Sequence, residues 1–460
     1  MSRVEGVSPL PRPLSRVLGL VFGLAVVVGG VIGSGIMRAP GVVAQGLKTE
    51  PLILLVWALG GGLAMLTAMP LVEAGSSVPR AGGAYPIAAR AFGPTIGFLT
   101  GWLAWLPTAA SSAYISIVFG EYVHRLGLAG GVPTGVVASG LIILVGGLNW
   151  TGTRISGASQ SVASALKGGA FLLLAAVLFA SPRSHATLMP HPGLAVAAGG
   201  GAVVMAIRVI YQTYAGWEAP IYFSEEVRRP DRNIARATFL GIALVTVIYL
   251  LVNAAVLHVL TPMQMAGSEL VVGDAAKVSL GPVGDTAITV IGLFSLAAIC
   301  NLQLMSSSRI TFRMARDGVA PAGLGEVAPG GTPRGSVALL AAAAVGFALS
   351  GSYEQIIEVD APWTMAGILM ICLSAIKLRL SRPDLPRPWR MPLFPWIAIG
   401  AAAIQAALIV LVVWDDPVMG LISLGVVAAP LPVYFMFRNQ WRRQSAERWG
   451  PGDLFGDTKL

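Results

Sequence analysis

The sequence predicts an all-α polytopic membrane protein with 12 transmembrane helices, and three observations carry that prediction. Of the 460 residues only 12% are charged and 55% are hydrophobic. Soluble domains carry about 25% charge, so this chain lacks the ionic groups to coat a water-facing globule of its size. The apolar residues gather into twelve runs of the class that crosses ~30 Å of hydrocarbon with about 20 residues. The 31 Lys and Arg residues fall mostly into alternate connections between those runs. The composition also excludes a disordered chain. The two cysteines, Cys300 and Cys372, both lie inside apolar runs and make no disulfide framework.

In chain order the runs cover 17–43, 51–77, 97–123, 133–150, 158–180, 197–223, 237–260, 285–308, 336–351, 361–377, 395–414 and 417–437. The first is too long for a cleavable signal and no cleavage-like site follows it. The longest gaps are 261–284 and the stretch after Arg438, so function is expected inside the bundle. The expected organisation is a tail over 1–16, a first five-helix unit over 17–180 and a second over 197–380. Helices 11 and 12 then cover 395–437, and a second tail covers 438–460. With the N-terminus in the cytoplasm, Lys48, Arg125, Arg183 and Lys277 are the only basic residues placed outside, and Arg38, Lys167 and Arg208 lie within spans. All the others fall on the cytoplasmic side, as the positive-inside rule requires. Both termini are therefore expected in the cytoplasm and the protein in the cell membrane. The net charge of +9 is a topology signal, not a nucleic-acid surface.

Two spans are interrupted. Span 1 holds Gly29-Gly30-Val31-Ile32-Gly33-Ser34-Gly35-Ile36, then Arg38 and Pro40. Span 6 holds Tyr214-Ala215-Gly216-Trp217-Glu218-Ala219-Pro220. Lipid tolerates a broken helix only where it lines a cavity, and paired interruptions in corresponding halves point to a transporter site. Close packing is the other reading of the span 1 glycines, and the one that fits Gly60-Gly61-Gly62 in span 2 and Gly199-Gly200-Gly201 in span 6. Glu218 and Pro220 disfavour a plain helix in span 6. A broken helix offers amide N–H groups at the start of its second half and carbonyls at the end of its first; the former suit a carboxylate and the latter an ammonium. Two breaks thus suit a zwitterion, and an α-amino acid is the simplest.

These stretches resemble the amino acid–polyamine–organocation (APC) superfamily of permeases. Val28 to Ile36 resembles its span 1. Tyr214 to Glu218, with Ser224-Glu225-Glu226-Val227-Arg228-Arg229-Pro230-Asp231-Arg232-Asn233-Ile234, resembles span 6 and the following loop. Asn301, Ser307-Ser308-Arg309 and Met314 to Pro321 resemble span 8 and its exit, and Pro388-Trp389-Arg390-Met391-Pro392 the approach to span 11. The resemblance implies a LeuT-like five-plus-five inverted repeat with discontinuous helices 1 and 6, alternating access, and an amino acid or related amine as substrate. It implies that Ile32, Gly33, Ser34, Gly35 and Ile36 offer amides to the substrate carboxylate, and that Tyr214, Ala215 and Gly216 offer carbonyls to its amine. Gln212 stands five residues before Trp217, where exchangers commonly carry an aromatic gate; both residues join the candidate substrate site. A polyamine or an acidic amino acid is the alternative substrate, the latter favoured by Arg38 and Arg208.

Three polar residues are candidates for coupling: Lys167, Glu218 and Asn301. A charge at the centre of span 5 costs about 2.5–3.5 kcal/mol, so Lys167 must face a cavity, find a partner or snorkel to the interface. The resemblance puts its ammonium where sodium-coupled relatives hold a cation, against carbonyls just before Gly33. Transport is then expected to be sodium-independent, with Lys167 either a proton carrier or a fixed cation. Glu218 reads as a proton site, a partner of Arg208 or Arg38, or a vestibule residue, and Glu73 as a partner of a basic loop residue. Glu225 and Glu226 opposite Arg309, Arg313 and Arg316 read equally as a solvated face and as a gate of ion pairs. An enzyme is disfavoured: the four histidines never fall at the spacing of a helical metal site, and no nucleophile elbow or phosphate loop occurs. A channel would need a repeated filter motif, and none is seen. No metal, cofactor or obligate protein partner is expected; the partners are an amino acid, the bilayer and protons.

Overall fold

The computed structural model describes residues 14, 16–33, 35–182, 200–268, 270–350, 353–415 and 417–449. Ser34, Arg183, His185, His191, Gly199 and the side chain of Arg208 lie outside the described residues. The chain forms α1 (Leu20–Val31), α2 (Gly35–Gly46), α3 (Glu50–Ser77), α4 (Ala84–Phe92), α5 (Pro94–Arg125), α6 (Thr134–Thr151), α7 (Thr153–Ala180) and α8 (Gly200–Thr213). A short 3-10 turn follows at Ala219–Phe223. Then come α9 (Pro230–Val259), α10 (Pro262–Ala266), α11 (Val271–Leu280), α12 (Pro282–Arg316), α13 (Arg334–Ser350), α14 (Tyr353–Ser381), α15 (Trp396–Asp415), α16 (Pro417–Ala428) and α17 (Leu431–Trp449). Among the described residues, 9 helices are long and apolar enough to cross a membrane, and the pair α1 and α2, bent by 49°, makes a tenth candidate. Two of the expected crossings are shorter helices: α8 has 14 residues and α13 has 17.

Local signals explain where the sequence reading differs. The 261–284 gap is not plain loop but holds α10 and α11. Thr261 and Gln264 close a capping box around Pro262, which starts α10. Between the second and third long helices, α4 occupies part of what reads as a connection, bounded by Gly83 and Gly93, both at positive φ. The last helix does not stop near Arg438. It runs to Trp449 because its charged end has something to pack on: Ser445 Oγ donates to Arg316 O (2.8 Å), and the Arg316 guanidinium lies 3.9 Å from the Trp449 ring centroid.

Small residues set the closest helix contacts. A methyl added at Gly23 of α1 would lie 2.6 Å from the Ala237 Cβ of α9, and one at Gly241 would lie 2.6 Å from Val27. Gly61 of α3 is equally tight against Thr246 of α9, and Gly60 against Ile210 of α8, whereas Gly62 faces open space. Only the first two glycines of that triplet are packing residues. Glu73, 3% exposed, accepts from Arg379 Nη1 (3.0 Å) and the Met391 N–H (2.6 Å), with Arg387 3.6 Å away. It pairs with basic residues as expected, one on α14 and one in the following loop.

At the end of the bundle where α1 begins, the mixed-charge segment divides. Arg228, Arg229, Arg232 and Arg236 are exposed. Glu226 and Arg309 are not: at 0% and 1% exposure they form a two-point ion pair (2.9 and 3.2 Å), which Thr153 completes at 3.0 Å from Arg309 Nη2. Beside it Arg313 holds Asp317 (2.5 Å) and Glu225 (3.1 Å), and Tyr85 donates to Asp317 (3.0 Å). The backbone of Leu18 pairs with this loop on both sides, donating to Glu226 O and accepting from the Arg228 N–H. The solvated-face reading therefore fails for the inner acids and arginines. Removing one partner of a buried ion pair costs about 3–5 kcal/mol. Arg309→Leu is expected to lower the thermal unfolding midpoint of the detergent-solubilised protein by many degrees, while Arg232→Leu leaves it unchanged. Equal midpoints for the two variants would mean that the buried pair holds nothing together.

Candidate functional site

The first break follows from the run of small residues after Val28. Ile32 leaves the helix (φ −72, ψ 100) and α2 begins at Gly35. A helix end leaves carbonyls without partners, and side chains from three other helices take up most of these. Lys167 Nζ donates to Gly29 O (2.9 Å) and Ile32 O (2.5 Å), the Tyr249 hydroxyl donates to Val31 O (2.8 Å), and Ser295 Oγ lies 3.4 Å from Ile32 O. Lys167 is 3% exposed. Its ammonium points at the break, and the snorkelling alternative falls.

The second break begins where α8 ends. Tyr214 to Glu218 form irregular turns, with Gly216 at φ +110, a conformation that favours glycine. A methyl on Gly216 would sit 2.7 Å from Gly30 C and 2.8 Å from Gly30 O, and one on Gly30 would sit 3.0 Å from Gly216 O. The two interruptions thus meet backbone to backbone. Glu218 turns back so that its carboxylate accepts from the Gly216 N–H (3.1 Å). Among the described residues it has no ion pair, so of the alternative readings the one as a partner of Arg38 fails: Arg38 is exposed on α2. No described residue donates to the carbonyls of Tyr214 or Ala215, and none accepts from the amides of Gly33 or Gly35.

A cavity of about 250 Å³ opens against both breaks. Of the residues singled out in the sequence, Gly33, Gly35, Gln212, Ala215, Gly216 and Glu218 line it. Ile32, Ile36, Tyr214 and Trp217 do not line it: all four side chains are buried in the packing around the breaks, and the Tyr214 hydroxyl donates to Trp57 O (2.9 Å). Asn301 is also away from the cavity. It links α6, α7 and α12 through Asn149 (2.9 Å) and Gln160 (2.8 Å). The far wall carries polar residues that the sequence reading missed. Gln303 of α12 donates to Ser111 (2.7 Å) and accepts from Ser112 (2.9 Å) on α5. Polar side chains inside long apolar runs were the available signal for both. The described residues of the site offer donors for a carboxylate, acceptors for an ammonium, and a polar wall.

The sequence pattern of the amino acid permease family matches residues 18–432. The chain belongs to that family. The permease is 28% identical over 435 residues to the b(0,+)-type amino acid transporter 1 of Mus musculus, covering 92% of this chain and 88% of the mouse protein. It is 26% identical over 445 residues to the large neutral amino acids transporter small subunit 2 of Homo sapiens, covering 92% of this chain and 80% of the human one. The permease is an amino acid transporter of the APC superfamily, a multi-pass membrane protein and not an enzyme. The human relative is by its name a subunit, so the expectation that this chain acts without a protein partner finds no support.

Proposed function

We propose that the permease binds its amino acid at the paired breaks and carries it by alternating access, independently of sodium, in exchange or with a proton. In this reading α8 with the turn after it, and α13, complete twelve spans. Residues 17–180 and 197–380 are the two inverted five-helix units, and both termini face the cytoplasm across the cell membrane. The observation that carries it is the contact of Gly30 with Gly216 at the wall of a cavity. There, among the described residues, the amides of Gly33 and Gly35 and the carbonyls of Tyr214 and Ala215 have no partners, as a zwitterion needs. Lys167 supports sodium independence, because its ammonium occupies carbonyls that a bound cation would use. Glu218 is the sole charged residue of the described lining. That favours a neutral amino acid over an acidic one.

Uptake of a panel of amino acids into proteoliposomes, with and without internal substrate, a pH gradient and sodium, tests the reading. Saturable uptake that ignores sodium and responds to internal substrate or to the pH gradient is expected; uptake that needs sodium would overturn it. Substitutions at the break add a local test. The tightest neighbour of a methyl at Gly33 would be the flexible end of Ile299 at 3.1 Å, whereas one at Gly35 would meet Thr213 Cγ2 at 2.9 Å. Gly35→Val is expected to abolish binding in a folded protein, and Gly33→Ala to weaken it about tenfold, as modest overpacking does. Normal amino acid binding by Gly35→Val would refute the site.

A further inference from the structure

Between Ile397 and Val413 the one side chain of α15 that can make a hydrogen bond is Gln405. It is fully buried, on the face that also carries the buried Ala398, Ala401 and Ala402, and α15 packs on α14 and α3. Past that packing, Gln405 Nε2 donates to the Tyr211 hydroxyl of α8. Three residues on, just beyond the end of α8, the Tyr214 hydroxyl donates to Trp57 O of α3 (2.9 Å). Residues three apart share a helix face, so Tyr211 and Tyr214 are anchors one turn apart. Gln212 and Ala215 repeat that spacing one residue further on, and both line the cavity. A rotation of α8 that carried Tyr211 away from Gln405 would therefore also swing Gln212 and Ala215 off the cavity wall. Such a rotation needs a restraint, because α8 has only 14 residues and no regular helix continues it past Thr213. Hydrogen bonds between membrane helices add little stability, and Gln405 Oε1 has no partner among the described residues. An apolar pair would hold these helices together as well; what the amide supplies is direction.

We propose that Gln405 is a positioning residue of the transport site: through Tyr211 it fixes the rotation of α8, so that Gln212 and the free carbonyls of Tyr214 and Ala215 face the substrate. This rests on the reading that the breaks hold the substrate. A residue of α15, which itself takes no part in the cavity wall, thus sets the aim of a half-helix that does. Without the bond, α8 samples neighbouring rotations and the substrate must select the competent one. The loss then falls on apparent affinity more than on turnover at saturation.

The test compares Gln405→Leu, Tyr211→Phe and the double variant in proteoliposomes, with initial rates measured over a range of amino acid concentrations and normalised to folded transporter. Each single change is expected to raise KM about fivefold, the scale of one hydrogen bond, with the saturated rate within about twofold of wild type. The double variant is expected to match the singles, because all three remove the same bond. A pair that merely holds helices together would reduce the amount of folded protein and leave KM alone. An unchanged KM, or single effects that multiply in the double variant, would overturn the proposal. If a single variant does not fold because its partner is left unpaired in the bundle, the double variant removes both polar groups and decides alone: a raised KM is expected, and a wild-type KM overturns the proposal. Failure of the underlying site shows elsewhere: normal binding by Gly35→Val removes the site itself, whatever Gln405 does.

Discussion

Lys167→Ala is expected to lower amino acid uptake at least about a hundredfold while most of the protein remains inserted and folded. The ammonium makes two charge-assisted hydrogen bonds, to Gly29 O and Ile32 O, and bonds of that kind contribute about 1.5–3 kcal/mol each. Losing about 3 kcal/mol from the geometry of the break is already more than a hundredfold in an equilibrium constant. Folding is less exposed, because the helix packing around α7 does not depend on the amine. Uptake per folded molecule, with folding judged by monodispersity in detergent, separates the two effects. Full activity in Lys167→Ala would remove any role for the lysine in transport. A second substitution decides what the role is. If the lysine also carries the proton, uptake rises as external pH falls, and Lys167→Arg flattens that dependence because guanidinium does not release its proton. Wild-type uptake that ignores pH leaves the fixed cation alone.

Gly216→Ala is expected to be more damaging than any other alanine at a span glycine. The position has φ +110, which an L side chain rarely adopts, and the new methyl would meet the Gly30 backbone at 2.7 and 2.8 Å. Backbone cannot rotate out of the way, so the two breaks must separate by a few tenths of an ångström, in the place where a ligand would span them. We expect undetectable uptake and a reduced folded yield, against Gly62→Ala, which faces open space and should behave as wild type. Equal behaviour of the two variants would mean that the contact between the breaks carries no function.

Much of this was legible in the sequence, and the limits have a physical form. Glycines and a proline inside an apolar run declare a break, because regular helix is the default solution for backbone in lipid. The interruptions at Gly33 and Gly216 could therefore be read without a structure. A lone lysine in such a run likewise announces that it needs a partner. What a run cannot announce is which residue, far along the chain, supplies that partner. Tyr249 looks like any aromatic in an apolar helix, yet it reaches Val31, 218 positions away. Gln303 and Ser111 lie 192 positions apart, and Glu226 and Arg309 83 positions apart. Nor does a run announce which way each side chain points: Ile32, Ile36, Tyr214 and Trp217 belong to the breaks by sequence, but their side chains are buried in packing, because in a chain that turns on itself only some side chains face the space it encloses. Short helices such as α4 and α10 were missed for a related reason: polar caps and prolines look like connection in a chain where apolar length is the dominant signal.

The glycine contacts of α9 carry a mechanical consequence. Sliding α9 along α1 or α3 would drive Ala237 into Gly23, Val27 into Gly241 and Thr246 into Gly61, none of which leaves room for a methyl group. Steric interlocking at three points along one helix resists shear, so these three helices are expected to move as a single body. The compliant boundary is expected on the other side, where α5 and α14 face the breaks across the cavity. A pair of spectroscopic labels within that body would keep its separation through a transport cycle, and a pair spanning the cavity would record the stroke.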